Sequence, residues 1–123
     1  MPTTQTRFQQ WDVWWIDQPG ARASANPPQP GDPSFKNRMY VIASPSAHLR
    51  AGDPVCLPIG SRGVSKLFHL ELKKGEGGVL KDCFVWCNEI YTLKPPFFFQ
   101  KMGSVVHRSD EIKLAMKRFL EIF

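Results

Sequence analysis

Apolar and polar residues alternate in short runs along most of the chain, and only the C-terminal segment changes to a helical spacing. Trp11-Asp-Val-Trp-Trp-Ile-Asp17 is rich in aromatic and β-branched residues and stops at Pro19-Gly20, which predicts a first strand. Arg38-Met-Tyr-Val-Ile-Ala-Ser44, ended by Pro45, predicts a second, and Pro54-Val-Cys-Leu-Pro-Ile59, broken by Gly60 and Gly63, a third. Leu67-Phe-His-Leu-Glu-Leu72 predicts a fourth, closed by the Lys73–Gly78 turn. Val79 to Leu93 reads as one longer fifth strand, apolar on both faces around Cys83-Phe-Val-Trp-Cys87 and therefore covered on both. Pro95-Pro96 ends it.

The last element is a helix. Ser109 is the expected N-cap, Asp110 and Glu111 suit the first turn, and Lys117-Arg118 suit the last. Ile112, Ala115, Met116, Phe119, Leu120 and Phe123 follow the stripe of a helix packed on a sheet. The expected fold class is mainly β: five or six short strands in a small barrel or curled sheet with a C-terminal α-helix. Residues 1–123 form a single domain, interrupted by a long Pro-rich loop at about 18–35 that has no large aliphatic side chain to bury.

Composition narrows the class. A 42% hydrophobic, 22% charged chain of 123 residues is globular in profile, with no apolar run of the ~20 residues that span a bilayer. The opening MPTTQTRFQQ lacks a basic start followed by an apolar stretch, so no signal peptide is read, no membrane association is expected, and the expected location is cytoplasmic. Cys56, Cys83 and Cys87 are odd in number and lack paired histidines to complete a zinc site, so they read as buried apolar groups, and no metal or cofactor is expected. The net charge of +5 suits an anionic partner such as nucleic acid, although the basic residues are dispersed rather than blocked.

The order of the segments adds a resemblance. Asp12–Asp17 is similar to the opening strand of the MazF/PemK toxin endoribonucleases (the CcdB/Kid superfamily), and Arg38-Met-Tyr-Val-Ile-Ala-Ser-Pro45 resembles the Arg-Pro-apolar strand that follows their first loop. Leu57-Pro-Ile-Gly-Ser-Arg-Gly63 with Phe68–Leu72 resembles their Val-Pro-x-Thr-Ser/Thr turn and next strand. Gly78-Val79 and Asn88-Glu-Ile-Tyr-Thr-Leu93 resemble a further signature, and Lys101-Met-Gly103 with the Ser109-Asp-Glu111 helix follows in the family's order. The resemblance implies an SH3-like barrel, a homodimer, and a type II toxin–antitoxin toxin. Such a toxin cleaves single-stranded RNA without metal, by attack of a 2′-hydroxyl on its own phosphate. The products carry a 2′,3′-cyclic phosphate and a 5′-hydroxyl. It also implies a small acidic antitoxin that silences the groove.

Such chemistry needs a base, an acid and positive charge at phosphorus. Arg38 matches the family's catalytic arginine; its pKa above ~12 makes it a phosphate clamp rather than a proton donor, and Met39 replaces the usual proline after it. Gly60 stands where the family has a catalytic Thr. Ser61 then orients a phosphate oxygen, or is a turn residue, and Arg62 adds a second cation. Asn88 replaces an Asp or Glu, and an amide takes no proton. Strand alternation turns Glu89 to the opposite side from Asn88, and turns His69 away from the groove if Phe68 faces it. The expected RNA-binding residues are Lys36, Lys66, Phe68, Trp86 and Asn88, with the aromatics as stacking platforms or core filling. A missing base leaves a different class open: a non-catalytic binding module on the same fold, gripping a protein or RNA target as the CcdB branch grips DNA gyrase.

Overall fold

The computed structural model describes residues 7–16, 38–63 and 67–121. The Pro-rich loop expected at about 18–35, Lys36, Lys66 and Phe123 lie outside the described residues. Seven antiparallel strands form one sheet: β1 (Asp12–Ile16), β2 (Arg38–Ile42), β3 (Val55–Gly60), β4 (His69–Leu72), β5 (Cys83–Trp86), β6 (Tyr91–Thr92) and β7 (Phe98–Ser104). Their order is β4-β5-β3-β2-β1-β7, with β6 added to β3, and the C-terminal helix spans Ser109–Leu120. This is the expected mainly-β domain with a terminal helix. Its hydrogen-bonded path runs open from β4 to β7.

Period-two alternation sorts the central strands onto two cores. Val13, Val41, Leu57, Ile59 and Val85 meet Ile112 and Ala115 of the helix on one face. Trp14, Ile16, Tyr40, Ile42 and Cys56 meet Phe8, Leu49, Leu93 and Phe98 on the other. Leu49 belongs to a single helical turn, Ser46–Leu49, between β2 and β3. The three cysteines are free and buried, and burial pushes the Cys56 and Cys87 thiols up to about 12 and Cys83 to about 11. They are packing groups, as expected. Asp12 is buried too: its carboxylate accepts from Gln9 N–H and Trp14 Nε1–H and faces Lys101 Nζ at 3.3 Å, which pins the entry to β1.

Two elements differ from expectation. The run 79–93 is not one strand: β5 stops at Trp86, residues 87–88 turn, and the chain rejoins β3 only as β6. Glu89 N–H donating to Trp86 O closes that turn. The apolar pattern continues through the turn because Cys87 is buried in the helix-side core. Nor is Ser109 the N-cap. That position is Arg108, at the end of a 3-10 turn (Val106–Arg108), and no side chain caps the helix. Leu120, expected in the buried stripe, is exposed.

Arg108 instead ties the helix start to the turn after β4. Its guanidinium grips both oxygens of Glu111 (2.6 and 3.1 Å) and reaches Glu76 at 2.8 Å. Glu76 also accepts from Lys73 N–H at 2.7 Å and lies 3.0 Å from His107 Nε2. The Lys73 hydrogen bond, then His107 and Arg108, hold the Glu76 carboxyl down at about 2, against an ordinary 4.5. A carboxylate whose folded pKa is depressed stabilises the fold fully above its unfolded value, and that stability is lost as pH falls from about 4.5 toward 2. Urea unfolding at pH 7 and pH 3 should therefore show an acid loss that Glu76→Gln shrinks. At pH 7 the same substitution should cost roughly 1–3 kcal/mol, because charged hydrogen bonds are removed.

Candidate functional site

The site forms where β3 ends. β3 pairs with β2 through Tyr40↔Pro58, and two further residues of that register bring the Arg38 backbone level with Gly60. On its other edge β3 pairs with β6 at Val55 and Cys56, and with β5 at Ile59 and Gly60. The chain between β5 and β6 leaves the ladder opposite Leu57 and Pro58, and a hollow of about 210 Å³ opens there. Pro58, Gly60, Ser61, Arg62, Trp86 and Glu89 line it. A larger, more apolar hollow of about 420 Å³ shares Gly60 and Ser61 with it and is otherwise lined by Trp15, Met39, Ile59, Leu80, Lys81 and Cys83.

Ser61 and Arg62 are exposed, as a hydroxyl and a cation reaching for a phosphate must be. Trp86 fixes the Arg62 backbone: its Nε1–H donates to Arg62 O at 2.7 Å. This explains Gly60. A Cβ there would stand 3.3 Å from Trp86 Nε1, so the bare glycine lets the indole lie against the strand end and reach the Arg62 carbonyl. Gly60→Thr, which restores the hydroxyl of the resembling family, should displace Trp86. We expect its indole N–H to lose exchange protection in NMR and the fold to lose roughly 1–3 kcal/mol. An unshifted indole signal would show that the indole tolerates the added methyl and hydroxyl.

Asn88 and His69 are a pair. His69 Nε2 lies 3.2 Å from Asn88 Oδ1, and the imidazole stacks on Trp86 with ring centroids 4.3 Å apart. The register His69↔Trp86 places them so. The buried His69 thus shares the Trp86 side, against the expectation that it faces away. That expectation hung on Phe68, which precedes β4 and packs its ring edge-on against Phe119 of the C-terminal helix. Of the residues picked from the sequence, the hollow brings together Ser61, Arg62 and Trp86 beside the start of β2. Asn88 is held by His69, and Phe68 stands against the helix.

Glu89 was the residue missed. With β5 ended at Trp86, strand alternation no longer applies to it, and the turn carries it into the hollow with Ser61 and Arg62. Tyr91 Oη donates to Glu89 Oε1 at 2.8 Å and steadies the carboxylate. The turn-forming preference of Asn88 was the available signal. Among the described residues no group of three His, Cys, Asp or Glu could hold a metal ion, and no helix is long and apolar enough to cross a membrane.

The fold is similar to that of two solved structures of endoribonucleases from mycobacterial species, one of them in complex with its cognate antitoxin. Each gives a TM-score of 0.69 at 14% identity over 94% of this chain, and covers 96% of the antitoxin-bound chain and 93% of the other. The fold is shared. No family model matches the chain, and no curated protein matches it in sequence. At 14% identity the likeness fixes the course of the backbone, and the roles of the side chains have to come from the hollow itself.

Proposed function

We propose that this protein is the toxin of a type II toxin–antitoxin pair, an endoribonuclease that cuts single-stranded RNA without metal. One observation carries the reading: on a fold shared with toxin-type endoribonucleases, Ser61 and Arg62 converge in an open hollow level with the start of the strand that begins at Arg38. In this reading a 2′-hydroxyl oxygen attacks the adjacent phosphorus and the P–O5′ bond breaks. A 2′,3′-cyclic phosphate and a 5′-hydroxyl remain. Arg38 and Arg62 neutralise the charge that builds on the phosphoryl oxygens, where preorganised cations are worth most. Ser61 orients one of those oxygens, Trp86, which lines the hollow, offers a stacking face to a flanking nucleotide, and Lys36 and Lys66 serve its neighbours. The protein works as a homodimer, and a small acidic antitoxin occupies the groove, complementary to the net charge of +5.

The test is purified protein with a long single-stranded RNA in EDTA. New 5′-hydroxyl ends and 2′,3′-cyclic phosphates support the reading. RNA bound but left intact would move the protein to the non-catalytic class, a binding module on the same fold.

A further inference from the structure

We infer that Glu89 is the general base of this site and Tyr91 its positioning residue; the inference rests on the RNA-cleaving reading above. The chemistry leaves one vacancy. Arg62 and Ser61 serve a phosphate, but neither takes a proton at neutral pH, and Asn88 is an amide already joined to His69. His69 is buried beneath the Trp86 ring. Glu89 is the one carboxylate lining the hollow, and it shares that lining with the exposed Ser61 and Arg62.

The backbone accounts for its position. A strand continued past Trp86 would turn residues 88 and 89 to opposite sides. The turn at 87–88, closed by Glu89 N–H to Trp86 O, separates them instead: Asn88 goes to His69, and Glu89 to the hollow. β6 then returns to β3 at Cys56↔Tyr91, which sets the Tyr91 hydroxyl 2.8 Å from Glu89 Oε1. One carboxylate oxygen is thereby occupied, and the other is available to a substrate hydroxyl. Among the described residues, the ionisable groups placed with Glu89 are Arg62, which lines the same hollow, and Tyr91.

The step balances without a co-reactant. Glu89 takes the proton of the 2′-hydroxyl as its oxygen forms the bond to phosphorus. The P–O5′ bond breaks, the leaving oxygen is protonated from solvent, and Glu89 returns its proton to solvent. The carboxylate starts and ends ionised.

The experiment measures cleavage of a single-stranded RNA and, by fluorescence anisotropy, binding of its uncleavable 2′-deoxy analogue. Wild type, Glu89→Gln and Tyr91→Phe are compared across pH 4–9. Glutamine keeps an oxygen for the Tyr91 hydroxyl, so Glu89→Gln should fold as wild type does, which its unfolding midpoint checks. Its cleavage should fall 10²-fold or more, as loss of a positioned base does, with analogue binding changed less than threefold. The rise of rate with pH through the acid range should disappear with it. Tyr91→Phe removes the hydrogen bond that holds the carboxylate in place, so its kcat should fall several-fold with analogue binding unchanged and the acid limb retained. Glu89→Gln cutting within threefold of wild type, on an unchanged pH profile, would overturn the assignment and leave the endoribonuclease reading standing. A wild type that binds RNA and never cuts it would overturn both.

Discussion

Gly78→Ala should lower the unfolding free energy by about 3 kcal/mol and the thermal midpoint by roughly 10 °C. Gly78 sits at φ +83°, in the left-handed region where an L side chain costs roughly 1 kcal/mol or more. An added Cβ would also run into the carbonyl oxygen of Met102, a backbone atom of β7 rather than the end of a flexible side chain. Relief by sliding the strands apart is blocked from the other side. A Cβ on Gly103 would stand 2.7 Å from the Gly77 backbone, so the 3-10 turn Glu76–Gly78 and β7 touch main chain to main chain. Strain and overpacking therefore add. The same turn presents Glu76 to Arg108, so the variant should also lose part of the acid sensitivity that Glu76 confers. Urea and thermal unfolding decide it, and a loss below about 1 kcal/mol would mean that the turn and β7 separate easily.

Gly78-Val79 shows what a motif read from sequence can and cannot reveal. As a pair it marks a place in a resembling order; in the structure Gly78 permits a close backbone approach and the buried Val79 fills the helix-side core. The strands that carry Trp14, Val41 and Leu57 were legible because each alternates between two buried faces or is bounded by Pro or Gly. The helix was legible in Ile112 and Ala115. The break between β5 and β6 was not, because hydrophobicity registers burial and Cys87 stays buried through the turn. Pairing partners change there from β4 and β3 to β3 alone, and only a register shows that. His69 and Glu89 failed together for a related reason. Alternation was extended to Phe68, just before β4, and to Glu89, just after β5, and a period of two inverts every side once it is carried past a strand end. That Ser61 and Arg62 stand together was legible because a Gly-bounded turn is a local feature.

The largest expected effects on activity fall on Arg38 and Arg62, the two cations that the proposed reaction sets at the phosphate. Arg38→Ala should reduce cleavage by about 10²–10³-fold, as removal of one preorganised donor to a developing oxyanion does. Arg62→Ala should lose somewhat less, because the exposed Arg62 extends from a turn held at its carbonyl by Trp86, whereas Arg38 extends from a strand paired with β1 at Ile16. If both guanidinium groups meet one phosphate, they act as a unit, and Arg38→Ala/Arg62→Ala should cut little more slowly than Arg38→Ala alone. Each single change should also lower the dependence of RNA binding on salt by about 0.7 in the log–log slope, the value for one phosphate of a single strand left without its cation. Trp86→Phe separates position from charge. It keeps both arginines and an aromatic face toward His69 but removes the hydrogen bond to Arg62 O, so it should reproduce part of the Arg62→Ala rate loss with the salt slope intact. Full multiplication of the two arginine effects in the double variant would place them on different phosphates, and wild-type cutting by Arg38→Ala would remove the start of β2 from the reaction.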